Sequence, residues 1–180
     1  MKKGKLIFVL GGARSGKSSF AVKTASERLS SNVKSKKAFI ATLNPLDKEM
    51  KERVGRHKKE RDKGWKTFEE GLEIAPLIRG LKKDYDLIIV DCLTLWLSNV
   101  MLSEKDIEEE TERLIRSFKR GRSDMIVVSN EVGMGIVPES ALGRSFRDNA
   151  GRLNQKLAAE ADEVYLVTAG IPLKIKGVHE

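Results

Sequence analysis

The sequence predicts an α/β fold with a mostly parallel sheet between layers of helices. Short apolar runs of strand length alternate along the chain with amphipathic stretches of helical spacing, as in proteins built from β-α-β units. The chain has 180 residues and shows no internal repeat, low-complexity tract or linker. We therefore predict that residues 1–180 form a single domain. Ligands of such folds bind at the carboxyl ends of the strands, where functional side chains are expected.

A phosphate-binding motif follows the first predicted strand. The branched apolar run at residues 6–10 is typical of a buried strand. Gly11, Gly16, Lys17 and Ser18 then match G-x-x-x-x-G-K-[ST], and residues of helical spacing follow. Because the motif has a strand before it and a helix after it, it predicts a P-loop NTPase-type three-layer sandwich rather than a chance match.

The residue types of this loop suit a nucleotide. Glycines let consecutive backbone N–H groups turn into one concavity that holds phosphate oxygens, and the helix that follows adds the positive end of its dipole. Lys17 would contact the β- and γ-phosphates, and the Ser18 hydroxyl would coordinate Mg²⁺.

The remaining elements follow in alternation. Further strands are predicted at residues 37–42, 66–70, 85–92, 124–130 and 163–168, and residues 173–177 are expected to pair at a sheet edge. Further helices are predicted from residue 47 up to Gly64, and at residues 74–81, 103–120 and 140–161.

Asp91 is the second candidate of the nucleotide site. It ends the apolar run at residues 85–92, the Walker B arrangement, in which a carboxylate holds Mg²⁺ directly or through water. An aspartate that merely caps a loop is the structural alternative. Beside the phosphate-binding loop, the pattern favours Ser18 and Asp91 as the metal-binding pair.

His57 lies in a strongly basic stretch. Arg53, Arg56, Lys58 and Lys59 are its neighbours, and such cations favour a neutral imidazole with a free lone pair. A neutral imidazole can attack phosphorus while arginines stabilise the leaving phosphates. An exposed histidine on a solvated basic helix explains the same pattern, and residue chemistry alone favours that explanation.

Composition limits the possible partners. Lys and Arg outnumber Asp and Glu by 34 to 26, for a net charge of +8, which suits either nucleic acid or small anionic substrates. Aromatic residues make up 6% and are not interleaved with basic ones as in RNA-binding motifs, but charge alone leaves both kinds of partner open. No run approaches the ~20 apolar residues of a membrane span. The single cysteine, Cys92, fits a reducing compartment and predicts a cytoplasmic protein.

The glycine-broken loop at residues 130–140 directly follows a predicted strand and therefore lies at the functional edge of the sheet. It is either a turn before an amphipathic helix or a segment that contacts substrate or another subunit. Trp65 and Trp96 are expected to be packing residues rather than base-stacking ones, and Cys92 a core residue.

Taken together, these segments resemble the bacterial bifunctional adenosylcobinamide kinase/adenosylcobinamide-phosphate guanylyltransferases of cobalamin biosynthesis. The resemblance covers nearly the whole chain, in order. Its motifs are GGARSGKS at residues 11–18, FIAT at 39–42, EMKERVGRHKKER at 49–61, and, most specifically, NEVGMGIVPES followed by FRDNAGRLNQ within 130–155.

The resemblance implies two reactions on one chain. A nucleoside triphosphate, ATP or GTP, phosphorylates the side-chain hydroxyl of adenosylcobinamide, and GMP is then transferred from GTP to that phosphate through a GMP–histidine intermediate, with release of pyrophosphate. It places the nucleophile on His57 and implies Mg²⁺, a corrinoid substrate, no nucleic-acid partner, and a homo-oligomer, typically a trimer. A P-loop kinase without a covalent intermediate and a nucleic-acid-stimulated ATPase are the alternatives.

The same resemblance implies the site residues. Lys17 and His57 would be catalytic, and Asp91 stands where some members have Glu. Leu43 and Asn44 lie where the family varies, so contacts there would run through the backbone. The implied nucleotide-binding residues are Gly11, Gly12, Ala13, Arg14, Ser15, Gly16, Lys17, Ser18, Thr42, Leu43, Asn44, Lys58, Lys59, Glu60, Arg61, Glu69 and Asp91.

Overall fold

A twisted sheet with helices on both faces forms the centre of the protein. The structure, a computed structural model, describes residues 4–29, 35–43, 64–118 and 121–177. Within these ranges seven strands form one sheet in the order β3-β2-β4-β5-β1-β6-β7. All neighbouring pairs are parallel except β6 and β7, which are antiparallel. The predicted α/β class with a mostly parallel sheet is confirmed.

The strands are β1 (Leu6–Gly11), β2 (Lys37–Ala41), β3 (Trp65–Glu69), β4 (Leu87–Asp91), β5 (Asp124–Asn130), β6 (Glu163–Thr168) and β7 (Ile171–Lys176). The helices are α1 (Lys17–Leu29), α2 (Ile74–Leu81), α3 (Leu93–Leu102), α4 (Ile107–Phe118) and α5 (Ala141–Glu160).

The central strands are apolar because both of their faces are covered. Along β1, Ile7 and Val9 pack with helix α1 on one face, while Phe8 and Leu10 pack with helices α2 to α5 on the other. Two-sided burial explains why β1, β4 and β5 have continuous apolar runs instead of alternating ones. The three layers are thus α1, the sheet, and the remaining described helices.

The structure contains one helix that the sequence analysis does not predict. Helix α3 follows β4 at once and buries Leu93, Trp96, Leu97 and Val100. It contains no charged residue, so its sequence lacks the charged face that reveals an amphipathic helix. The burial of Trp96, which is 1% exposed, agrees with its expected packing role.

Element boundaries differ from the predictions by a few residues. Helix α4 begins at Ile107 instead of residue 103, because Asp106 accepts a hydrogen bond from the Glu109 N–H (2.8 Å) and so caps the first turn. Strand β7 includes Ile171 and Pro172; the chain reverses just before them at Ala169 and Gly170, both of which have positive φ. The helix predicted from residue 47 lies outside the described residues.

No helix within the described part of the chain is long and apolar enough to cross a membrane.

Candidate nucleotide site

The loop between β1 and α1 is shaped by two glycines. Gly11 lies so close to β6 that a Cβ at this position would sit 2.2 Å from the Val167 carbonyl oxygen. Gly16 has φ +95, and a Cβ there would sit 3.2 Å from Gly170 Cα. Both positions therefore require glycine, for close approach at Gly11 and for backbone conformation at Gly16. The predicted loop and the helix start at Lys17 are confirmed.

A buried hydroxyl in the loop has no partner among the described residues. Ser15 Oγ is shielded from solvent and makes no hydrogen bond there. The Ser15 backbone is held, since its carbonyl accepts from the Gly170 N–H at 2.9 Å. A buried polar group without a partner is costly, so this hydroxyl suits a ligand oxygen entering the loop.

Lys17 is folded back over the loop. Its side chain is 7% exposed, and its Nζ donates to the Gly12 carbonyl oxygen at 2.5 Å. Burial lowers the pKa of Lys17, and the nearby Asp91 and Cys92 act in the opposite direction. The ammonium group thus lies within the loop, where a phosphate oxygen can replace a backbone carbonyl as its acceptor.

Ser18 and Asp91 are brought together, as the sequence predicts. Asp91 ends β4, and its Oδ2 accepts a hydrogen bond from Ser18 Oγ at 2.6 Å. A hydroxyl and one carboxylate form the oxygen donor set with which Mg²⁺ is bound in nucleotide sites, where water and phosphate oxygens complete the coordination. Among the described residues no group of three or more His, Cys, Asp or Glu could hold a metal by itself. The residues present therefore fit a metal that arrives with a nucleotide.

Thr42 joins the ends of two strands. Its side chain is fully buried, donates to the Cys92 carbonyl oxygen at 2.6 Å and accepts from the Cys92 N–H at 2.8 Å. Asn99 from α3 donates to the Thr42 carbonyl at 3.1 Å. Thr42 thereby fixes the chain directly after Asp91, a positioning role that sequence reasoning missed because its partner is remote in sequence. Leu43 follows it and is half-buried.

Glu69 lies at the same edge of the sheet. It ends β3, and Ala41 of β2 is in register with Glu69 on one side and with Asp91 on the other. Its side chain is exposed. The remaining predicted residues, namely Asn44, His57, Lys58, Lys59, Glu60 and Arg61, lie outside the described residues.

A polar cluster supports the end of β5 and is a second feature that sequence reasoning missed. Thr94 Oγ1 accepts from the Asn130 N–H at 2.7 Å and lies 3.4 Å from Ser129 Oγ. Asn154 of α5 donates to the Asn130 carbonyl at 3.3 Å. Helices α3 and α5 thus hold the chain at the start of the loop at residues 130–140.

Comparison with known proteins decides the family. The family described as cobinamide kinase / cobinamide phosphate guanyltransferase (CobU) matches residues 7–175. The chain belongs to this family. The predicted family and enzyme class, a transferase of cobalamin biosynthesis, are thereby confirmed.

Curated members of the CobU family resemble the chain over nearly its full length. The bifunctional adenosylcobalamin biosynthesis protein CobU is 39% identical in Escherichia coli (strain K12) and 40% identical in Salmonella typhimurium, in both cases over 95% of this chain and 99% of the relative. CobP of Pseudomonas aeruginosa is 38% identical over 94% of this chain and 96% of its own length.

A solved structure supports the fold. The flagellar accessory protein FlaH from Methanocaldococcus jannaschii matches with a TM-score of 0.55, covering 100% of this chain and 84% of that one at 15% identity. At this identity the likeness concerns the fold alone.

Proposed function

We propose that this chain phosphorylates adenosylcobinamide with ATP or GTP and then transfers GMP from GTP to the new phosphate. The observation that carries the proposal is the contact between Ser18 and Asp91 beside the phosphate-binding loop, in a chain of the CobU family. Both reactions need a bound triphosphate whose negative charge is neutralised. A phosphate-binding loop supplies both the binding and the neutralisation.

Within this proposal, the loop residues bind and orient the triphosphate. The backbone N–H groups of residues 11–16 and the first turn of α1 hold phosphate oxygens, and Ser15 Oγ offers one more donor. Lys17 neutralises charge on the β- and γ-phosphates. Ser18 and Asp91 would hold Mg²⁺, which when bound neutralises charge that develops on the phosphates.

In the second reaction, His57 is the proposed nucleophile. A ring nitrogen attacks the α-phosphorus of GTP, a P–N bond forms, and the bond to the bridging oxygen breaks to release pyrophosphate. An oxygen of the corrinoid phosphate then attacks the same phosphorus and displaces the neutral imidazole. The support for this role is the basic sequence around His57, with Arg53 and Arg61 four residues away on either side, together with the family's guanyltransferase activity.

The proposal extends to Thr42, Leu43, Asn44, Lys58, Lys59, Glu60, Arg61 and Glu69 as nucleotide-contacting residues. Glu69 is supported by its place at the carboxyl edge of the sheet. Thr42 is supported only as a positioning residue, since its side chain is buried and bonded to Cys92.

We also propose that the enzyme assembles as a homo-oligomer, as a trimer by the family resemblance. Edge strand β7 leaves Ile171, Leu173 and Ile175 exposed, each more than half. A second copy would remove this apolar row from water. Sedimentation equilibrium should give three times the chain mass of 20.1 kDa; a monomer at micromolar concentration contradicts the proposal.

The experiment for the kinase half uses Lys17→Ala and a matched control. Lys23→Ala lies on the same helix α1, 76% exposed at its side chain. The enzyme is incubated with Mg²⁺, ATP and cobinamide, and cobinamide phosphate is separated by chromatography. We expect product from wild type and Lys23→Ala and a loss of at least about 100-fold in Lys17→Ala. Absence of product from a wild-type enzyme that binds ATP would contradict the proposed kinase activity.

A further inference from the structure

Glu131 lies beside the first residue of the phosphate-binding loop. It directly follows β5, the strand that lies between β4 and β1. Asn130 is in register with Gly11, and the Glu131 N–H donates to the Gly11 carbonyl oxygen at 3.0 Å. The backbone of Glu131 is therefore bonded to the first residue of the loop that would hold the triphosphate.

Glu131 also lies further out along the strands than the metal-binding pair. Asp91 is in register with Val128, three residues before Glu131. At ~3.3 Å per residue, Glu131 is ~10 Å beyond the level of Asp91. An acceptor has to approach the γ-phosphate from outside the loop, and Glu131 lies on this outer side.

The carboxylate of Glu131 has one oxygen held and one available. Its Oε1 accepts from the Gly133 N–H at 2.6 Å. A Cβ on Gly133 would sit 2.9 Å from the same oxygen, so a larger residue there would displace the Glu131 carboxylate from this position. Oε2 makes no hydrogen bond within the described part of the chain. A carboxylate oriented in this way can accept a proton through its second oxygen.

The other described carboxylates at this edge of the sheet either accept hydrogen bonds from other groups or lie far from the phosphate-binding loop. Asp91 accepts from Ser18 Oγ, and Glu70 Oε1 accepts from the backbone N–H groups of Leu72 and Glu73. Glu69 ends β3, four strand positions away from β1, which is ~19 Å at ~4.8 Å per strand. Among these described carboxylates, Glu131 is thus the one that lies beside the phosphate-binding loop and does not belong to the metal-binding pair of Ser18 and Asp91.

We propose that Glu131 is the general base of the phosphoryl-transfer reaction, an inference that rests on the proposed kinase activity. The hydroxyl of the corrinoid acceptor gives its proton to Glu131 Oε2 as its oxygen attacks the γ-phosphorus. A new P–O bond forms, and the bond from the γ-phosphorus to the β,γ-bridging oxygen breaks. The nucleoside diphosphate leaves with that electron pair, and Glu131 later returns the proton to solvent.

The acceptor side of Glu131 is apolar. Met134, Ile136 and Val137 are exposed, Ile136 to 96%. An acceptor hydroxyl carried by a large, mostly apolar molecule would cover these side chains while it reaches Glu131. This surface agrees with an acceptor that approaches from the β5–α5 loop.

The test is Glu131→Gln in the full chain, with Glu139→Gln as the matched control on the same loop. Glutamine keeps an acceptor oxygen for the Gly133 N–H but cannot take the proton. We measure cobinamide phosphate formation with Mg²⁺ and ATP, and separately the labelling of the protein by α-³²P-GTP. We expect a loss of at least about 100-fold in kcat for phosphoryl transfer, with the KM for ATP and the GMP labelling unchanged. Glu139→Gln should behave as wild type, and Glu131→Asp should recover part of the rate.

Two outcomes would overturn the inference while leaving the proposed function intact. One is a Glu131→Gln variant that phosphorylates cobinamide within threefold of wild type. The other is an equal loss of phosphoryl transfer and GMP labelling, which would mean that Glu131 shapes the nucleotide loop. A wild-type enzyme that binds ATP but yields no cobinamide phosphate would contradict the proposed function itself and the inference with it.

Discussion

The charge network around Glu163 gives a quantitative prediction of stability. Glu163 begins β6 and is 8% exposed. Its carboxylate accepts from Lys5 Nζ at 2.9 Å and from the Tyr165 hydroxyl at 2.8 Å, and Lys174 Nζ lies 3.5 Å away. Burial by itself raises the pKa of Glu163, but the hydrogen bonds and the charges of Lys5 and Lys174 outweigh it and lower the pKa from 4.5 to about 2.

The size of the stabilisation by Glu163 and the direction of its pH dependence follow from this pKa. The difference between 4.5 and about 2 corresponds to ~3.4 kcal/mol at 1.36 kcal/mol per pKa unit. The Lys5 side chain is 53% exposed, and solvent screening reduces the value to ~2 kcal/mol. Because the pKa is lower in the folded state, this stability is complete above pH 4.5 and is lost as the pH falls toward 2.

Urea unfolding of wild type and Glu163→Gln tests this prediction. Glutamine has similar size but no charge, so the free energies of unfolding should differ by ~2 kcal/mol at pH 7 and by less than ~1 kcal/mol at pH 3. Glu139→Gln, at an exposed position on the β5–α5 loop, should differ from wild type at neither pH. A Glu163→Gln difference that stays constant between pH 7 and pH 3 would refute the electrostatic explanation.

Two further predictions concern the site. Thr42→Val removes both hydrogen bonds to Cys92. The variant should lower the free energy of unfolding, measured by urea titration, by ~1–3 kcal/mol. An unchanged unfolding midpoint would contradict the role of Thr42 in joining β2 to β4. Ile136→Ser should raise the KM for cobinamide about fivefold, or ~1 kcal/mol of lost apolar contact. The same variant should leave GMP labelling unchanged, and an unaltered KM would exclude contact between Ile136 and the acceptor.

Much of the fold could be predicted because its signals are local. The apolar runs of β1, β4 and β5 and the motif from Gly11 to Ser18 depend on neighbouring residues, and parallel strands bring their carboxyl ends to one edge. The approach of Ser18 to Asp91 follows from these facts alone and is confirmed at 2.6 Å.

The features that could not be predicted from the sequence depend on packing or on partners that are remote in sequence. Helix α3 contains no charged residue, so no charged face marks its helical period in the sequence. Thr42 holds Cys92, which lies 50 residues away, and sequence chemistry gives no sign of such a pair. Glu131 acquires its position from the register of β5 against β1, which appears only once the sheet is assembled.

The central claim is a GMP–histidine intermediate on His57, and labelling tests it most directly. Protein, Mg²⁺ and α-³²P-GTP are incubated and separated under denaturing conditions. The account predicts label on wild type that is lost in acid and survives alkali, no label on His57→Ala, and normal label on His179→Ala, the other histidine of the chain. A wild-type protein that binds GTP but stays unlabelled, or a His57→Ala variant labelled as fully as wild type, would contradict it.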